Sequence, residues 1–153
     1  MAGIAKTEAM IALVARVVLA AVFLYAGGVK ALDPAGFALS IDNYQLLPWP
    51  AAAALAVYLP WLELGCGLGV LWPKTRWGAL AVLLGLGLVF SEAIASALIR
   101  SLDISCGCFG DEGHGRSTLV ISLIRSVSLT LLCGWLLWRE KEKHRANGPG
   151  QDS

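Results

Sequence analysis

The chain has 153 residues, 57% of them hydrophobic and 15% charged, with a formal net charge of +1. Its mean hydropathy of +0.67 is far above that of a soluble domain of this length. The near-neutral balance implies no nucleic-acid partner, and apolar stretches without polar faces argue against a soluble all-helical protein.

Four windows are almost free of charge: 9–29, 51–72, 77–99 and 118–138, each of 21 to 23 residues. About 20 helical residues cross a hydrocarbon core of roughly 30 Å. The expected fold is therefore all-α: an integral membrane four-helix bundle in one domain, residues 1–145, with a short interfacial segment after the first helix. Its first partner is the lipid bilayer, and residues 146–153 are expected to form a disordered tail.

In chain order, residues 1–8 are a short lead-in. The first window is longer than the roughly 7–15 apolar residues of a cleaved signal peptide and carries Arg16, so it is expected to be retained. The first helix is predicted to end near Gly27-Gly28, with a turn at Asp33-Pro34. Phe37–Leu47 is too short to span and reads as an interfacial segment, with Tyr44 and Trp49 suited to the headgroup level. Pro50 opens the second helix, and Pro60 within it predicts a kink. Gly65-Cys66-Gly67-Leu68-Gly69 lacks the strand that a dinucleotide fingerprint requires; Gly65 and Gly69 read instead as a close helix contact. Trp72–Trp77 is a tight turn, and Ser101–Ser117 a polar loop with Ser117 or Thr118 as the cap of the fourth helix. Arg139–Arg145 reads as a solvated helical end.

Lys and Arg set the orientation. Lys6, Lys74, Arg76, Arg139, Lys141, Lys143 and Arg145 lie on one side, against Lys30, Arg100 and Arg116 on the other. Both termini are thus expected in the cytoplasm, with the Ser101–Ser117 loop extracytoplasmic, where disulfides persist.

Arg16, Glu63, Glu92 and Arg125 fall inside the spans, where each charge costs about 2.5–3.5 kcal/mol near the centre and so calls for a partner. Matched depths along the helices predict two pairs, Arg16 with Glu63 and Glu92 with Arg125. Such pairs can fix helix register or serve as a proton relay.

The loop contains Ser105-Cys106-Gly107-Cys108-Phe109-Gly110. A thiolate attacks a disulfide through a mixed disulfide, and a second thiol nearby resolves it. Cys106 and Cys108 are the candidate catalytic pair, and Gly107 permits the backbone angles of so small a ring. Arg116 and His114 favour the thiolate, whereas Asp103, Asp111 and Glu112 oppose it. Two other readings stand beside this one. A metal site from Cys106, Cys108 and His114 lacks a second cysteine pair and the usual ligand spacing, so no metal is expected. The tract can also be idle in a structural protein. Cys66 and Cys133 read as buried small hydrophobes well below the loop.

Several stretches together resemble the MauE branch of the DoxX-like membrane proteins. They are Arg16, Phe23, Gly27-Gly28 and Lys30–Pro34; Asn43–Pro48; Leu59–Glu63; and Cys106–Gly110. The resemblance spans nearly all four helices. It implies a part in maturing the disulfide-rich small subunit of methylamine dehydrogenase, beside a thioredoxin-like partner. It also implies a redox role for Cys106 and Cys108 and a scaffold role for Arg16, Lys30, Tyr44 and Glu63. Wider DoxX-like relatives include a subunit of a thiosulfate:quinone oxidoreductase.

The expected protein is a multi-pass protein of the bacterial inner membrane. Its Cys106/Cys108 pair exchanges reducing equivalents with a thioredoxin-like or disulfide-containing extracytoplasmic protein, as a membrane thiol–disulfide oxidoreductase. A bilayer quinone near Glu92–Arg125 is the candidate electron acceptor. The rival readings are a non-enzymatic assembly or maturation subunit, a DoxX-like quinone-linked redox subunit, and, ranked last, a small-solute permease lined by Glu63 and Glu92.

Overall fold

The computed structural model describes residues 2–101 and 116–146. Five helices follow one another: α1 (Ala2–Leu32), α2 (Pro34–Asn43), α3 (Trp49–Leu71), α4 (Arg76–Ile99) and α5 (Arg116–Ala146), with no strand among the described residues. All but α2 are long and apolar enough to cross a bilayer, and the chain is a multi-pass membrane protein. The thiol tract with Cys106 and Cys108, His114 and residues 147–153 lie outside the described residues.

The four predicted windows sit inside α1, α3, α4 and α5, but α1 and α5 run well past them. Charges end a hydrophobic window without ending a helix, because Lys, Arg and Glu are good helix formers. The lead-in is therefore the start of α1, the Arg139–Arg145 run continues α5, and α5 begins ahead of the expected caps.

Asp33 separates α1 from α2. Its carboxylate caps α2 by accepting from Gly36 N at 2.9 Å, and Pro34 supplies a preset helical φ at the first position. Of the Phe37–Leu47 stretch expected at the interface, residues 37–43 belong to α2, which packs Phe37 and Ala38 against Ala56 of α3. After α2 the chain turns through Gln45 at a left-handed φ of 53°. Arg100, at the end of α4, donates to Tyr44 O at 2.9 Å and so ties that end to the end of α2. This is termed the loop end of the bundle. The opposite, turn end carries the α3–α4 connection and the exposed Trp72, Trp77 and Trp138, an aromatic belt suited to headgroups.

α1 packs chiefly on α3, α3 on α4, and α4 on α5, while α5 touches α1 more lightly. Gly27 lets α1 and α3 approach: a Cβ there would stand 3.0 Å from Pro60 O and 3.0 Å from Leu64 Cγ. α3 is helical through Pro60, whose missing N–H removes one bond of the ladder. Of the expected close-contact glycines, Gly69 abuts Ala79, whereas Gly65 meets no neighbour. Between α4 and α5 the contact is polar as well as small, with Ser91 Oγ and Ser126 Oγ 3.0 Å apart. Leu19, Val70, Leu80, Leu83, Cys133 and Leu136 form the main core. Large apolar side chains including Tyr58, Trp61, Leu68, Val89 and Leu131 point outward, as a lipid-facing surface requires.

Candidate functional site: a buried ion pair beneath the loop end

Lys30 lies one helical turn beyond Gly27 on α1, so the close α1–α3 approach brings its side chain onto Glu63 of α3. Lys30 Nζ donates to Glu63 Oε1 at 2.6 Å and to Oε2 at 2.9 Å, with the two residues only 3% and 2% exposed. Two rings complete the ammonium's surroundings: Phe37 of α2 at 5.0 Å and Phe90 of α4 at 4.8 Å from ring centre to Nζ. Desolvated cation–ring contacts of this kind contribute about 2 kcal/mol or more each. They offset part of the several kcal/mol that burying each ion costs.

Beside the pair is a cavity of about 50 Å³, lined among others by Lys30, Glu63, Phe90, Ser122, Arg125 and Ser126. A water needs roughly 10–15 Å³ of such space, so the cavity has room for a small polar guest. Ser122 is buried against it, and among the described residues its hydroxyl makes no hydrogen bond. The cavity thus offers an ammonium, a guanidinium and hydroxyls as donors, with a carboxylate as acceptor. Such a set can hold a polar group or hand a proton between neighbours.

A second charged cluster closes the turn end. Arg16 of α1 and Arg76 of α4 both donate to Glu140 Oε1 of α5, and Arg76 Nε donates to Val70 O at 3.1 Å. Arg139 adds a bond to Glu8 Oε2 at 2.8 Å and lies over Trp135. These contacts join the ends of four helices and read as a staple, with Arg16 Nε left unpartnered.

The sequence-based pairing is therefore corrected on both counts. Arg16 does not meet Glu63; it meets Glu140, and Glu63 meets Lys30. The apolar window starts at residue 9, whereas α1 begins at Ala2 and Gly27 faces Pro60, which sets Arg16 level with the α3–α4 turn. Glu92 is exposed on α4 and makes no ion pair with Arg125, which lines the cavity instead. The two do share a depth, but each residue turns a helix by about 100°, and it is Gly87, Phe90 and Ile94 that face the cavity. Of the four intramembrane charges, Glu63 and Arg125 come together at the cavity, Arg16 lies at the far end and Glu92 faces outward. Sequence reasoning missed Glu140, Phe90, Ser122 and Ser126. Ser122, Ser126 and Thr130 recur every fourth residue, a polar stripe that marks the inward face of α5. Cys66 and Cys133 are free thiols at the main core, consistent with their reading as small hydrophobes.

Comparison with known proteins places this architecture. A family model described as methylamine utilisation protein MauE matches residues 8–139. The methylamine utilization protein MauE of Methylophilus methylotrophus is 45% identical over 69 residues, covering 44% of this chain and 36% of that protein. The protein of the same name from Methylorubrum extorquens is 32% identical over 99 residues, covering 64% of this chain and 53% of its own length. The chain thus spans about half or less of the curated relatives it matches. No solved structure matches it. With the family model covering nearly all of the four spanning helices, the chain belongs to the MauE family.

Proposed function

We propose that this protein carries out thiol–disulfide exchange for extracytoplasmic proteins through Cys106 and Cys108, in a maturation role, in the setting of methylamine utilisation for which its relatives are named. The observation that carries the reading is the Cys106-Gly107-Cys108 tract in the polar segment joining α4 to α5. One thiolate attacks a client disulfide, forming a mixed disulfide and releasing a client thiolate. The second thiol then displaces the client, so that two electrons pass to it and a Cys106–Cys108 disulfide is left behind; the reverse sequence oxidises a client dithiol. The Lys/Arg bias supports an inner-membrane orientation with both termini cytoplasmic and the tract outside. A thioredoxin-like or disulfide-bearing partner is the client class that fits this chemistry.

The test is replacement of Cys106 and Cys108 by serine, singly and together, in cells that make a disulfide-rich client. Disulfide formation in the client is expected to fall to background in all three variants. One single variant is expected to accumulate a mixed disulfide with the client, visible on non-reducing gels. A double variant that matures client normally would make the chain a non-enzymatic assembly subunit.

A further inference from the structure

An apolar groove of about 260 Å³ lies between α2, α3 and α4, lined by Ile41, Tyr44, Leu47, Leu59 and Val89 among others. Phe37 and Phe90 also line it, and these are the two rings that hold Lys30 Nζ. Phe90 lines both this groove and the polar cavity. One aromatic side chain, half-buried, therefore divides a chamber open to lipid from a buried ammonium, carboxylate and unbonded serine hydroxyl. Val89, on the spanning helix α4, is exposed, so that side of the groove faces hydrocarbon, and Tyr44 places its other end toward the loop end.

The two chambers differ in chemistry, and that difference selects the guest. A plain acyl chain fills the groove but has no use for the donors behind Phe90. A water-soluble ligand matches the donors but cannot approach through hydrocarbon. A flat ring bearing carbonyls on an apolar tail satisfies both. We infer that the groove and cavity together form a binding site for a lipid-soluble quinone, its ring lying against Phe37 and Phe90 and one carbonyl accepting from Lys30 or Ser122 once Phe90 changes rotamer. The site differs from the Glu92–Arg125 position expected from sequence, because Glu92 turns outward.

The role of that quinone rests on the thiol–disulfide reading. Oxidation of the Cys106/Cys108 dithiol to a disulfide releases two electrons and two protons, and reduction of a quinone to hydroquinone takes up both. The quinone is the oxidant in this step, and the Lys30–Glu63 pair, held behind the same two rings, is a buried group able to pass a proton to its carbonyl.

The experiment uses the full chain, purified into phosphatidylcholine nanodiscs free of quinone and titrated with decylubiquinone. Binding is followed by the thermal unfolding midpoint and by tryptophan quenching. Saturable binding is expected, weakened about tenfold or more by Ala93→Phe, which fills the groove. Ser122→Ala, which removes only a donor, is expected to weaken it by roughly twofold to tenfold. Helical content by circular dichroism checks that each variant folds. Decanol, which has a tail but no ring, is expected not to compete. Absence of saturable binding, equal competition by decanol, or unchanged affinity in both variants overturns the site. The Cys106→Ser/Cys108→Ser protein separates the two proposals, because it is expected to bind quinone with wild-type affinity. Quinone binding without client exchange sinks only the thiol reading, and exchange without quinone binding sinks only this one.

Discussion

Glu63→Leu is expected to destabilise the protein by about 3–5 kcal/mol, because it strands the Lys30 ammonium inside the bundle without its counter-charge. The two phenyl rings around Nζ do not remove that loss, since they contact the ammonium in the wild type as well and carry no counter-charge. Lys30→Met alone is expected to be similarly damaging. The double variant Lys30→Met/Glu63→Leu is expected to recover to within about 1 kcal/mol of wild type or better, as replacing a buried pair by apolar groups of similar volume commonly does. Reversible unfolding in mixed micelles measures all three. A double variant as unstable as the singles would show that the residues matter through shape and not through their charges. If the pair also handles protons, the double variant separates stability from function: it folds, but its redox turnover is expected to fail.

Neighbouring glycines provide the second large contrast. Gly27→Ala adds a methyl 3.0 Å from the backbone oxygen of Pro60 and 3.3 Å from Glu63 Cβ. A backbone oxygen in a packed helix cannot move aside as the end of a side chain can, so α1 and α3 must separate, at a cost of about 1–3 kcal/mol. Gly28→Ala meets nothing within 4 Å and is expected to stabilise by about 0.5–1 kcal/mol through helix propensity alone. Opposite signs at adjacent positions are the expected result of the same unfolding measurement. Equal losses at both would mean that the α1–α3 approach is not set by Gly27. Because that approach also seats Lys30 on Glu63, Gly27→Ala is expected to weaken quinone binding as well, while Gly28→Ala leaves it intact.

Hydropathy made the four spans legible, and Asp33-Pro34 gave the break between α1 and α2, because both signals are local in the chain. The ion pairs were not legible, for two separate reasons. A window count measures depth from wherever charge stops, yet α1 and α5 continue through their charged ends, which displaced Arg16 by more than a turn and hid Glu140 in what reads as a solvated tail. Depth also carries no azimuth: Glu92 and Arg125 share a level but not a face. Helices that are apolar all round give no periodic stripe from which to read rotation. The polar stripe Ser122, Ser126 and Thr130 is the exception, and it does face inward. Gly27-Gly28 reads as a helix end, which leaves Lys30 outside the first helix, yet α1 continues through both glycines. The family resemblance implied a scaffold role for Arg16, Lys30, Tyr44 and Glu63 together, and the structure shows that Lys30 and Glu63, two of them, are in contact.

Exchange with extracytoplasmic proteins requires the dithiol to be exposed outside the membrane. Intact cells treated with a membrane-impermeant maleimide, after mild reduction, should label Cys106 and Cys108 fully, while a variant keeping only Cys66 and Cys133 stays unlabelled until the membrane is dissolved. Labelling of the loop cysteines only after lysis would put them on the reducing side and contradict the proposed exchange with extracytoplasmic proteins.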